Sequence, residues 1–152
     1  MPTKFWDDFS LGQKITTPAI TVTETHVVNW AGLTMDFYPL HMDKEFASKT
    51  VFRERVAHGP LTFALGVGLM YQTGVAEDSV IAWLGADINR IPAPVRLGDT
   101  IHVEAEVTEL RDTKTPSQGV MIMRYNVINQ RGETVMIYDM KFLMHRRVRQ
   151  VA

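Results

Sequence analysis

The chain has 152 residues, 45% hydrophobic and 22% charged, and its 16 Lys and Arg against 17 Asp and Glu leave a formal charge of −1. That profile predicts one compact domain over residues 1–152, able to bury about 70% of its unfolded surface without staples. The absence of cysteine excludes disulfides, thiolate nucleophiles and thiolate metal sites, and favours a reducing compartment. Balanced charge, with a single basic cluster at Arg146, Arg147 and Arg149, argues against a nucleic-acid partner. No apolar run reaches the roughly 20 residues of a membrane span, and the opening residues do not read as a signal peptide. The expectation is a cytoplasmic protein with no membrane partner.

In chain order, a β-branched run over residues 14–23 suits a strand, and Pro18 places it at a sheet edge. A helix follows, capped by Thr23 or Thr25, with Val27, Trp30, Ala31 and Thr34 at helical spacing until Gly32 weakens the pattern. Pro39 pushes Tyr38 out of the α region, so residues 35–41 are expected to form a loop. Asp43 then caps a short helix through Ala47. Residues 59–73 contain no charged side chain. They are apolar on nearly every face and predict a buried helix that starts near Pro60 and stops at Gly74.

The second half supplies the covering. Strand-length runs at 80–91, 100–111, 119–130 and 134–147 are separated by turn signals. In the second run, Ile101, Val103, Ala105 and Val107 alternate with His102, Glu104, Glu106 and Thr108, the mark of a half-buried antiparallel strand. Met121, Met123, Met136, Met140 and Met144 fall at period-two spacing, so they read as one sheet face. The fold class is α+β, an antiparallel sheet wrapped around a long apolar helix in the hot-dog architecture.

Two places can carry chemistry. Asp36 and His41 lie five positions apart across a proline, a carboxylate and an imidazole that titrate on either side of neutrality. Read locally, a capping carboxylate and a surface imidazole explain them equally well. Ala57-His58-Gly59-Pro60 leads into the apolar helix, whose first amides are unpaired donors at the positive end of a dipole. Gly59 lets a ligand carbonyl approach closely, although a tight turn would also call for it. His41, Asp43 and His58 match no established metal-ligand spacing, so no metal is expected. His26, His102 and His145 carry no distinguishing pattern.

These residues resemble the MaoC-like dehydratases, which include the (R)-specific enoyl-CoA hydratases. The family's Asp-x-Asn-Pro-x-His signature stands here as Asp36-Phe37-Tyr38-Pro39-Leu40-His41, followed by Asp43 and Ala47. A second block, residues 56–61, resembles the family's His-Gly lead into the central helix. A third, residues 90–100, resembles its Pro-Val-x-x-Gly-Asp element. The three blocks occur in order across most of the chain. One departure stands out: Tyr38 occupies the place of the family's Asn, and a phenol donates only through its hydroxyl.

The resemblance implies hydration of a trans-2-enoyl thioester to the (R)-3-hydroxyacyl thioester, or the reverse dehydration. It assigns Asp36 as the base toward water, His41 as its partner, and Gly59, His58 and Tyr38 as oxyanion or substrate-binding groups. It implies no cofactor, coenzyme A or an acyl carrier being part of the substrate, and Arg90, Arg96 and the tail arginines are candidate phosphate partners. The exposed outer face and edge strand of such a sheet predict a homodimer or higher homo-oligomer, and the resemblance implies that the acyl tunnel lies near the dimer interface. The competing expectations are a hot-dog acyl-CoA thioesterase and a non-catalytic acyl-binding subunit.

Overall fold

The structure is a computed structural model that describes residues 3–147. Arg149, part of the basic tail, lies outside the described residues. The chain begins with a 3-10 turn at Trp6–Asp8, then β1 (Lys14–Thr16), β2 (Ile20–Thr21), α1 (Glu24–Thr34), α2 (Pro39–Met42), α3 (Lys44–Ser48) and α4 (Gly59–Tyr71). Four long strands complete it: β3 (Val80–Arg90), β4 (Thr100–Asp112), β5 (Gln118–Asn129) and β6 (Thr134–His145). The sheet order is β1-β4-β5-β6-β3, with β2 also pairing β4, and every pairing is antiparallel.

The expected first strand is interrupted at Pro18, which cannot donate to a ladder. β1 and β2 are the two remnants, both paired to β4 along one side of the sheet. Thr23 caps α1 as expected, and His26 supplies the reciprocal partner, its Nδ1 accepting from the Thr23 amide at 3.0 Å. Gly32 does not end α1. The helix runs to Thr34 and stops at Met35, whose φ of 63° breaks the repeat. The expected loop over residues 35–41 is corrected in its second half: Pro39 serves as the first residue of α2, where its missing N–H costs nothing. Asp43 caps α3, its side chain accepting from the Phe46 amide.

β4 buries Ile101, Val103, Ala105 and Val107 as its alternation predicts. On β5 and β6 the inward side chains pair across the strands as Val127 with Met136, Tyr125 with Tyr138, Met123 with Met140 and Met121 with Phe142. The inner face is therefore largely methionine and tyrosine, and α4 lies across it. The sheet covers only one side of that helix, burying Leu61, Thr62, Gly66, Leu69 and Met70. Pro60, Gly68 and Tyr71 are exposed. The expectation that α4 is buried all round is thus half met within one chain.

Two polar anchors hold the periphery. At the N-terminal end, the Trp6 indole donates to the Val120 carbonyl at 3.0 Å and lies against Gly119, where any side chain would collide with the ring. The Arg146 guanidinium sits 4.0 Å above the Trp6 ring, and Arg147 pairs with Asp8 at 2.7 Å. At the other end, buried Asp99 accepts from Arg131 at 2.7 Å and 3.2 Å, from Gln130 at 2.9 Å and from the Arg96 amide at 2.9 Å. This ties the turn before β4 to the β5–β6 turn. Burial opposes the Asp99 charge, but the Arg131, Arg96 and Gln130 hydrogen bonds outweigh it and hold the carboxyl down at about 2.

Because the folded-state value lies below the ordinary 3.8, the stabilisation is complete above that value and is lost as pH falls toward 2. Asp99→Asn is expected to cost about 1–3 kcal/mol at pH 7. In urea unfolding the gap between variant and wild type should narrow below pH 4; a gap independent of pH would show that the charge contributes nothing.

Candidate active site

The site is built where three backbone segments meet. The Ala57 amide donates to the Val95 carbonyl at 2.8 Å, and Val56 bridges to Arg96, which fixes the approach to α4 against the 91–95 segment. The Val56 carbonyl is left pointing at His41 and accepts from its Nδ1 at 2.7 Å. A carbonyl can only accept, so Nδ1 carries the proton and Nε2 presents a lone pair. His58, wholly buried at the N-cap of α4, donates from Nε2 to the backbone carbonyl of Asp36 at 2.9 Å. Its ring stacks on His41 with centroids 3.9 Å apart.

Asp36, His41 and His58 each present a donor atom within 4.8 Å of the other two. The Asp36 carboxylate accepts from the Tyr38 amide at 3.3 Å, an Asx turn that sets its orientation. The structure thus brings together the two side chains that the sequence singles out. Burial, with a further contribution from His58, holds the His41 imidazole below its usual range; the Val56 carbonyl and Asp36 act in the opposite direction without reversing the shift. At neutral pH the ring is a neutral acceptor. Two imidazoles and a carboxylate at this spacing are also the donor set that could hold a cation. Asp43 is not among them, since it caps α3.

His41 and Gly59 open on one cavity of about 300 Å³, bounded further by Thr62, Val95, Val135 and Met136. Gly59 and Leu61 are first-turn residues of α4, so their amides are unused by the helix's own ladder. A side chain at position 59 would meet only Ile91, at 4.0 Å. Packing within the chain therefore does not demand glycine there, and Gly59 lines the cavity without a side chain to cover its backbone.

His58 ties the Asp36 backbone to α4 and backs the His41 ring, while its Nδ1 is buried with no partner among the described residues. Tyr38 is exposed and meets His41 and Phe46 edge-on, at 5.9 Å and 6.1 Å between centroids. Among the described residues its hydroxyl makes no hydrogen bond to the Asp36–His41 pair, so it packs beside the pair without standing in for an amide. The Val56 carbonyl and the Phe52 and Met136 walls have no sequence signal. Three of the candidate phosphate partners are engaged elsewhere: Arg96 with Glu54, Arg146 with Asp112 and Arg147 with Asp8.

The chain is 39% identical over 100 residues to Protein MaoC of Klebsiella aerogenes, a match covering 66% of this chain but 29% of that protein. It is 32% identical over 106 residues to an (R)-specific enoyl-CoA hydratase of Rhodospirillum rubrum, covering 70% of this chain and 71% of the relative. Among solved structures, a monoamine oxidase regulatory protein from Archaeoglobus fulgidus superposes with a TM-score of 0.90 at 37% identity, over 96% of this chain and 97% of that one. The MaoC like domain model matches residues 8–130, from the N-terminal turn through β5, and the chain belongs to the MaoC-like dehydratase family.

Proposed function

We propose that this protein adds water across the C2–C3 double bond of trans-2-enoyl thioesters, and catalyses the reverse dehydration. The observation that carries the reading is the convergence of Asp36 and His41 on one point beside the open N-terminus of α4. A water held between the carboxylate and the free Nε2 of His41 loses a proton to Asp36 as its oxygen bonds to C3. The π pair moves toward the thioester oxygen, where the Gly59 amide, unused by the helix's own ladder, stabilises the developing charge. C2 then takes a proton delivered through the Asp36–His41 pair, so water is added with no net proton consumed. The name of the Rhodospirillum rubrum relative supports the (R) configuration at C3.

The proposed working form is a homodimer. β3 ends the sheet with an unpaired edge and exposes Ile81, Trp83, Leu84 and Ile88, continuous in sequence with exposed Ile91 at the cavity wall. A long apolar edge strand, beside a helix apolar on its uncovered side, is suited to pairing with a second copy. Among the described residues no helix is long and apolar enough to cross a membrane.

Incubation with crotonyl-CoA should abolish the enoyl absorbance without releasing free thiol; thiol release would instead establish hydrolysis. Asp36→Asn and His41→Ala should each lower kcat by a factor on the order of 10²–10⁴, with the fold and the oligomer retained. Full activity in either variant would remove the pair from the mechanism.

Since the unprotonated His41 ring is the working form, kcat/KM should be flat through neutrality and fall as pH drops through the His41 value, with its midpoint below 6.5. A midpoint above 6.5 in the pH profile would contradict the environment described. Trp83→Glu, placing a charge on the exposed β3 edge, should yield a monomer by light scattering; an unchanged dimer would locate the interface elsewhere.

A further inference from the structure

The underside of α4 carries a second cavity, of about 160 Å³, at the opposite end of the helix from His41. Its walls include Val67, Met70, Met121, Met123, Tyr125 and Phe142. It is almost wholly apolar. On two elements the same residue level separates it from the His41–Gly59 cavity. Along α4, Gly59 and Thr62 border the first cavity and Val67 and Met70 the second, with Gly66 between. Along β6, Met136 borders the first and Phe142 the second, with Tyr138 between. Across the sheet, Tyr138 pairs with Tyr125.

Tyr138 fills the dividing layer. It is 0% exposed, and its ring packs 4.8 Å from Phe63 and 5.1 Å from Tyr125 between centroids. Its hydroxyl abuts α4 at Gly66, where any larger residue would collide with it. That hydroxyl has no hydrogen-bond partner among the described residues. A buried, unpartnered hydroxyl is costly, so hydrogen bonding does not explain the tyrosine. Its bulk does: it spans the gap from β6 to the helix.

We propose that Tyr138 is the specificity-determining wall of the acyl site, restricting the protein to short-chain enoyl thioesters of about four to six carbons, with a second apolar chamber closed off behind it. The proposal rests on the hydratase reading and adds to it the length of the substrate. From Gly59 to Gly66 is seven residues, about 10 Å of helix. Subtracting a contact distance of about 4 Å leaves about 6 Å, which an extended chain advancing about 1.25 Å per bond fills with five or six carbons. Beyond that point each added methylene meets the phenol.

Hydration of trans-2-enoyl-CoA substrates of four to twelve carbons tests this. Wild type should lose at least 10-fold in kcat/KM between six and ten carbons. Tyr138→Ala should restore at least 10-fold on ten- and twelve-carbon chains, and adding Val67→Phe, which refills the distal chamber, should cancel the gain. Tyr138→Phe keeps the wall and should keep the wild-type profile. Equal wild-type activity on four- and ten-carbon chains would overturn the proposal, as would a folded Tyr138→Ala with an unchanged limit.

If Tyr138→Ala does not fold, the wild-type profile still decides. Dissociation constants for saturated acyl-CoAs read the wall without turnover: affinity should rise about three- to fourfold per methylene up to six carbons and then fall. Thus a protein that hydrates nothing yet shows this break refutes the hydratase reading alone. A protein that hydrates all lengths equally refutes the wall alone.

Discussion

The hydrogen bond from His41 Nδ1 to the Val56 carbonyl, at 2.7 Å, is the constraint on which the site depends. It selects the tautomer, leaves Nε2 as the free acceptor, and does so with a main-chain group that cannot change its protonation state. That carbonyl is in place because Ala57 is bonded to Val95, so the orientation of one imidazole is inherited from the pairing of two connecting segments. His58 repeats the device on the other side, giving its Nε2–H to the Asp36 carbonyl. The His41 ring and the backbone of Asp36, both on short, irregular elements, are thereby tied to the segment that leads into α4.

Electrostatics and burial act together at this point. Desolvation keeps His41 neutral, while Asp36 lies on the exposed side of the pair. The helix supplies the complement. Its first turn, whose amides the helix's own ladder leaves unused, borders the same cavity.

Much of this was legible in the residues. The alternation of Ile101, Val103, Ala105 and Val107 and the period-two methionines specify side-chain directions directly, and the structure places each as those periods require. Asp36 and His41 were found through spacing around Pro39. Other features depend on contacts between distant segments and leave no local trace. The Val56 carbonyl is a main-chain acceptor that any residue at position 56 would provide, and only the fold brings it to His41. α2 was hidden because proline signals both a break and a helix start. The incomplete covering of α4 was hidden because composition reports how apolar a face is and not which neighbour covers it. Tyr38, read as a substrate-binding group, packs edge-on against His41, a contact that the sequence does not signal.

The strap between Trp6 and Asp8 on one side and Arg146 and Arg147 on the other places positions nearly 140 residues apart in immediate contact. The backbone path is consequently almost a closed ring, with its seam on the periphery and away from Asp36 and His41. Where along that ring the polypeptide is cut matters little to the packing inside it. A gene rearrangement that joined this seam and reopened the chain at the exposed 113–117 turn would conserve the sheet, the rod it wraps and the side chains gathered at the rod's tip.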